Sequence, residues 1–310
     1  MKKVLKYTML LFAGAALFTA CGEKDNDPTD TPSGDGGSIS SPEKKIRSIQ
    51  RTTDSVGIGV ELPELVLFQW DGDLLKSVQM TGRRVEEQLI FSYNGSTAAT
   101  LTFRHHDSEL PPDEHDYCNI RYDGDRVKEL DYHYGSQSDS TRTTFNFSYV
   151  AGSISAVDRM RRCWRMGDYD EDPVERLPMS FEKGNLVLYG SKSTDDGWVR
   201  YAEIKYDDKK SPFPLRAKTP FELELMREGG SSPELFVFFF PWSDHNITFV
   251  ESVKDDGEHE RTIWTGSYNY TYDESRYPIS VDVCVKEEYR YYDETTTREW
   301  TYTLTYQYYE

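Results

Sequence analysis

A chain of 310 residues with 36 Lys and Arg against 54 Asp and Glu carries a formal net charge of −18, and 22 Tyr, 15 Phe and 6 Trp make it 14% aromatic. That acid excess excludes a phosphate-backbone partner, because nucleic-acid binding needs clustered Lys and Arg to displace counterions. A charged fraction of 29% excludes a bundle of membrane helices, and the length suffices to bury a sizeable core.

In chain order the first element is a processing signal. Lys2, Lys3 and Lys6 precede Tyr7–Thr19, an almost wholly apolar stretch too short to span a bilayer, and the segment closes on Leu17-Phe18-Thr19-Ala20-Cys21-Gly22. These features describe a secretory signal over residues 1–20. Cys directly after Leu-x-x-Ala resembles the bacterial lipobox, which implies acylation of Cys21 and cleavage before it. Residues 21–44 are rich in Asp, Pro, Thr, Ser and Gly and lack aromatic residues. They cannot bury enough apolar surface to offset their ordering entropy, so a disordered acidic tether is expected. About 22 residues of coil hold the following domain about 25 Å from its lipid. The acidic Glu23-Lys24-Asp25-Asn26-Asp27 is similar to the export signal of surface-displayed Bacteroidota lipoproteins. It implies an outer-membrane, surface-exposed location, with the periplasm-facing side as the alternative.

From residue 45 onward the pattern is strict alternation. Trp300, Tyr302, Leu304, Tyr306 and Tyr308 alternate with Thr301, Thr303, Thr305 and Gln307. Phe145, Phe147 and Tyr149 alternate with Thr144, Asn146 and Ser148, and Val281, Val283 and Val285 with Asp282, Cys284 and Lys286. A period of two fits half-buried strands, and one apolar face per strand points to antiparallel pairing. Asp71-Gly72 and Asp123-Gly124 sit between alternating segments as hairpin turns. An aromatic-x-aromatic or Ile-x-Tyr unit precedes each of these turns and recurs with its second aromatic at Trp70, Tyr93, Tyr122, Tyr149, Tyr206 and Tyr272. The reading is an all-β fold: an up-and-down antiparallel meander of hairpins forming a single full or partial barrel-like sheet over residues 45–310. Two segments interrupt the array. Arg159–Pro178 reads as a long charged excursion between hairpins, and Pro212–Asn246 contains the apolar run Leu235–Phe240, read as a strand buried on both sides or a core-crossing segment rather than a ligand pocket.

The lipobox, the tether, the hairpins of the form aromatic-x-Tyr-Asp-x-Gly, Asp244-His245-Asn246-Ile247, Tyr277-Pro278 and the closing Tyr/Thr alternation together resemble Bacteroidota lipoproteins of unknown function with a porin-like fold. The hairpin unit is also similar to tyrosine-aspartate repeats, although its spacing is irregular. The resemblance implies a curled antiparallel sheet and brings no established activity.

Chemistry is sparsely marked. His105, His106 and His115 lie among acids in a segment interrupted by Pro111-Pro112; they are weak metal candidates, and their spacing matches no established site. Asp168-Tyr169-Asp170-Glu171-Asp172 alternates carboxylates as a calcium loop does, but Pro173 stands where the turn needs Gly, so a solvated acidic loop is expected. Cys118, Cys163 and Cys284 remain after lipidation, either as one disulfide and one thiol or as three thiols. No nucleophile elbow, phosphate loop or paired zinc motif occurs, and no catalytic residue or cofactor is assigned. The expected function is a non-enzymatic envelope module that contacts the membrane through its lipid anchor only and binds a glycan or an envelope protein. The alternative is a glycan or peptide hydrolase on the same scaffold, which needs a pair of carboxylates. An integral outer-membrane barrel is disfavoured because charges punctuate both faces of many strands.

Overall fold

The computed structural model describes residues 44–54, 63–82, 86–105, 116–124, 126–135, 139–165, 168–183, 185–192, 199–212 and 245–310. The signal, Cys21 and its tether up to residue 43, and the Leu235–Phe240 run lie outside the described residues. Among the described residues every regular element is a strand. The first nine are β1 (Ile46–Asp54), β2 (Leu65–Asp71), β3 (Leu74–Thr81), β4 (Glu86–Asn94), β5 (Thr97–His105), β6 (Tyr117–Asp123), β7 (Arg126–Gly135), β8 (Asp139–Val150) and β9 (Ser153–Arg165). The others are β10 (Asp168–Glu171), β11 (Glu175–Glu182), β12 (Asn185–Ser191), β13 (Val199–Tyr206), β14 (Ile247–Asp255), β15 (Glu260–Tyr272), β16 (Pro278–Tyr291) and β17 (Glu294–Tyr308).

Consecutive strands pair antiparallel, and β17 pairs back onto β1 from Ile46↔Tyr308 to Asp54↔Tyr302, so the sheet closes. β10 and β11 occupy the same edge of β9, opposite residues 162–165 and 156–159, and the Asp172 N–H reaches the Arg161 carbonyl between them at 2.9 Å. They act as one interrupted strand, which gives a closed up-and-down barrel of 16 strand positions among the described residues. The expected excursion over Arg159–Pro178 is therefore corrected. β9 stays on the wall to Arg165, and β10 and β11 return along it. The acidic run begun by Asp168 is a strand rather than a loop up to Glu171. Ion pairs across β9, β10 and β11 accommodate the charges of this part of the wall: Arg162 with Glu171 at 2.7 Å, Arg176 with Asp158 at 3.1 Å and Arg159 with Glu175 at 3.0 Å.

A closed sheet has one concave face, and most of the apolar side chains that solvent cannot reach point into it. Ile49, Val66, Val78, Leu101, Phe145, Val157, Leu186, Val250, Val281 and Leu304 are all fully buried. They belong to one cluster with members on every strand except β10. Barrels of 16 strands can leave an aqueous channel; here apolar side chains fill the interior over this layer. The outer face is mixed: Tyr201, Val253 and Ile263 form an apolar cross-strand row on it, and polar residues are numerous elsewhere. Thr301, Thr303 and Thr305 stand on β17, Asp282 and Lys286 on β16, Ser267 and Asn269 on β15, and Asp158 and Arg162 on β9.

One end of the barrel is built from a repeated device. In each of seven hairpins the register slips just before the second aromatic, at Trp70, Tyr93, Tyr122, Tyr149, Phe181, Tyr206 and Tyr272, leaving one extra residue on the returning strand. The seam does the same at Tyr308↔Ile46. Such bulges add twist and bend the sheet, and eight of them at one end curl it closed. The aromatic heads then latch around the ring. Trp70 Nε1 donates to the Ile46 carbonyl (2.9 Å), Tyr93 to Leu75 (2.7 Å), Tyr122 to Ala98 (2.9 Å), Tyr149 to Val127 (2.7 Å), Tyr206 to Leu186 (2.7 Å) and Tyr308 to Pro278 (2.8 Å). Each acceptor is the residue paired with the aromatic of the preceding hairpin, so each of these six aromatics fastens its hairpin to the one before it. Tyr272 donates instead to the Asp207 carboxylate, which also accepts the Asn246 N–H at 3.1 Å and so stitches the base of the connection between β13 and β14. Asp71 and Asp123 are the last paired residues of their strands, and Gly72 (φ 55°) and Gly124 (φ 60°) take the first turn position, where a left-handed backbone suits Gly.

Candidate functional site

The end opposite this girdle carries the remaining connections, and most of the exposed aromatics lie there. Tyr291 and Tyr292, at the turn between β16 and β17, are 49% and 54% exposed. Their ring centroids lie 4.7 Å apart, and His259 sits edge-on to Tyr292 at the same distance. The backbone holds this group in place. Tyr292 N–H reaches the His259 carbonyl at 2.8 Å, and Arg290 Nε donates to the Tyr292 carbonyl at 3.0 Å. Asp256 accepts the N–H groups of Glu258, His259 and Glu260 at 2.7–3.0 Å, and these bonds hold its carboxyl down to about 2. A hollow of about 200 Å³ lies here, lined by Asp255, Glu258, His259, Arg261, Arg290 and Tyr292 among others. Further along the same rim, Tyr169 packs on Trp164 at 5.3 Å, and Tyr117 stacks on His133 at 4.5 Å.

Below the rim the inner wall is charged. Register places Arg159 beside Phe145 and Glu175, and Arg200 beside Ser191 and Lys254. Glu175 bridges the two: Oε2 accepts from Arg159 Nη1 at 3.0 Å and Oε1 from Arg200 Nη1 at 3.2 Å. Next to Arg200 the backbones of β12 and β13 approach closely. A Cβ on Gly190 (φ +81°) would lie 2.2 Å from the Arg200 carbonyl oxygen, so only Gly fits. Trp264, also facing inward, donates to Glu287 at 3.1 Å, and Arg298 stands 3.5 Å from the same carboxylate.

On the outer wall Asp131 has a side chain only 2% exposed and receives both Nε (2.6 Å) and Nη2 (2.7 Å) of Arg142. Burial pushes its carboxyl up, but the bonds from Arg142 and His133 outweigh that and leave it below the usual carboxylate range. A shallow outer groove of about 420 Å³ is lined by Ser267, Asn269, Asp282, Cys284, Thr301 and Thr303 among others.

The three described cysteines, Cys118, Cys163 and Cys284, are in no disulfide. Cys118 faces the core while its neighbour Tyr117 stacks on His133 outside, so this Cys and His lie on opposite faces of the wall. Burial pushes the Cys284 thiol up, away from the reactive thiolate, with Glu299 adding to the shift. His105 ends β5, while His106 and His115 lie outside the described residues. No group of three His, Cys, Asp or Glu able to hold a metal occurs among the described residues. Sequence reasoning missed Arg159, Glu175 and Arg200, which come from strands whose neighbourhood only the register reveals. It also missed Phe181 and Tyr308 as members of the aromatic series. Phe181 follows Met179-Ser180 where other units have an aromatic or Ile, and Tyr308 ends β17 without a Gly- or Asp-containing turn signal beside it.

No helix among the described residues is long and apolar enough to cross a membrane. No family model matches the chain, and no curated protein matches it. Among solved structures it is similar to a porin-like protein from Bacteroides uniformis ATCC 8492, with a TM-score of 0.44 and 9% identity, covering 85% of this chain and 98% of that one. It is also similar to a porin-like protein from Bacteroides vulgatus ATCC 8482, with a TM-score of 0.43 and 11% identity, covering 86% and 99%. These structural neighbours carry the porin-like description that the hairpin motifs resemble.

Proposed function

We propose that the chain is a lipid-anchored, non-enzymatic barrel of the cell envelope that binds a glycan at its rim. The observation that carries this reading is the division of the aromatics between the two ends. At the girdle end Trp70, Tyr93, Tyr122, Tyr149, Tyr206 and Tyr308 spend their polar heads on backbone carbonyls, whereas at the rim Tyr291 and Tyr292 stand open beside Arg290, Arg261 and Asp255. An exposed ring flanked by hydrogen-bonding groups suits the face and hydroxyls of a sugar. Charges on the outer wall, Asp131, Asp158, Arg162, Asp282 and Lys286 among them, favour a barrel held by an anchor over one inserted in lipid, which needs an unbroken apolar belt. Three measurements test the reading: palmitate labelling of the wild type and of Cys21→Ser, added protease on intact cells, and a glycan array probed with the wild type and with Tyr291→Ala/Tyr292→Ala. Label dependent on Cys21, protease access, and a glycan signal lost at least tenfold in the double variant are expected. Capture of an envelope protein with no glycan signal replaces the glycan with a protein partner, and absence of label in the wild type removes the anchor.

A further inference from the structure

We propose that the rim site continues down the inner wall of β15 and β16 as a column of three aromatic rings, Tyr291, Tyr289 and Trp264, which takes a linear oligosaccharide entering end-first. The inference rests on the glycan reading of the rim and adds the form of the glycan, a free chain end rather than the middle of a polymer. Register is unbroken from Glu260↔Tyr291 through Trp264↔Glu287 to Tyr268↔Val283. The alternation of the buried Val281, Val283 and Val285 therefore carries upward along β16, so Glu287, Tyr289 and Tyr291 face inward, and that of Tyr268 on β15 brings Trp264 to the same face. Tyr289 lies two residues below Tyr291, and Trp264 stands diagonally across from it, so neighbouring rings are set about 7 Å apart. From Tyr291 to the level of Glu287 the column is about 13 Å long, which suits about two or three sugar rings. Exposure falls with depth: Tyr291 is exposed, while Tyr289 and Trp264 are half-buried.

Polar groups stand at the foot of the column. Glu287 accepts from Trp264 Nε1 at 3.1 Å, and Arg298, opposite it on β17, stands 3.5 Å from its other oxygen with a side chain 51% exposed. A carboxylate and a solvent-reached guanidinium beside a ring supply the acceptor and the donors that orient the hydroxyls of a terminal sugar. One rung deeper, Val285 and Trp300 are paired across β16 and β17 and buried in the core. A chain that follows the rings thus meets a closed apolar floor and does not pass through. A site open above, lined along one wall and closed below admits a chain end, whereas an internal stretch would have to fold double to reach Trp264.

Calorimetric titration of the full chain with cello-, chito-, malto- and xylo-oligosaccharides of one to six units tests the column. One series is expected to bind saturably, its affinity rising at least tenfold from one unit to three and then levelling. Tyr289→Ala, whose native hydroxyl makes no hydrogen bond among the described residues, should weaken binding of the trimer at least fivefold and flatten the rise with length. Trp264→Ala should do the same. Tryptophan fluorescence should shift on trimer binding in the wild type and not in Trp264→Phe, a signal that a merely structural tryptophan does not give; with Tyr289→Ala it serves if circular dichroism shows Trp264→Ala misfolded. Trimer affinity unchanged in both Tyr289→Ala and Trp264→Ala but lost in Tyr291→Ala/Tyr292→Ala overturns the column and leaves the rim site standing. Affinity still rising from four units to six overturns end-first entry, because a chain lying across the rim gains contacts with length. Absence of saturable binding by every series removes the column and the rim reading together.

Discussion

The hydroxyl of Tyr149 sits 2.7 Å from the Val127 carbonyl at the girdle, and burial pushes its ionisation up to about 12, as it does for Tyr93. Tyr122, Tyr272 and Tyr308 are raised as well, burial leading in each case. An unfolded tyrosine ionises near 10, so the fold favours the protonated form. Its contribution is whole below about pH 10 and is lost as pH rises towards 12. The melting temperature should therefore show no loss from tyrosine ionisation between about pH 7 and 9.5 and fall steeply above pH 10. Absorbance at 295 nm should show a group of tyrosines ionising only as the far-ultraviolet signal collapses. A single midpoint near 10 for all tyrosines in the folded protein would refute it. The recurrence of Phe91-Ser92-Tyr93 and Phe147-Ser148-Tyr149 was legible in the sequence; the task of the hydroxyls was not. The acceptor of Tyr149 lies on β7, and only the register across β7, β8 and β9 brings it there. The thiols were similarly opaque, since a count of three cannot reveal that Cys118 points inward and Cys284 outward.

One hairpin of the girdle lacks its latch. Phe181 has the bulge and the position of its fellows but no hydroxyl to offer the Ile154 carbonyl, the acceptor that the ring pattern assigns to it. Phe181→Tyr supplies the missing donor and is expected to stabilise the protein by about 1 kcal/mol, or roughly 2–4 °C in melting temperature. Tyr149→Phe should lower stability by a similar amount. Loss of stability in Phe181→Tyr would mean that the acceptor is already satisfied and that the latch is not a general rule of the ring. Most hairpins could be read from alternation and Gly-containing turns. The stretch from Arg159 to Pro178 could not, because both faces are polar at this height of the wall. Arg159, Arg161 and Cys163 line one side and Met160, Arg162 and Trp164 the other, so no apolar stripe marked the strand.

Closure belongs to the molecule as a whole. A meander of hairpins is visible in local sequence, but whether its ends meet depends on β1 and β17, at opposite ends of the chain. The meeting is strongly built. Lys44 reaches Asp273 at 2.6 Å, Lys45 reaches Asp73 at 2.8 Å, and the hydroxyl of Tyr309 donates to the Phe68 carbonyl at 2.9 Å. Removing residues 294–310 exposes the edges of β1 and β16 together, and open edges recruit other chains. The truncated protein is expected to lose its cooperative melting transition and to elute as aggregate on size exclusion; a folded monomer would show that closure is dispensable. The seam also has a consequence in time. Its pairing of Ile46 with Tyr308 joins nearly the first described residue to nearly the last, a contact of very high sequence separation and slow to form. A ribosome delivers β1 long before its second partner exists, so the earliest strand must wait with one side unpaired through the making of the rest. β17, the last of the described strands to be made, completes the first, and the barrel gains its full stability only once β17 has joined it.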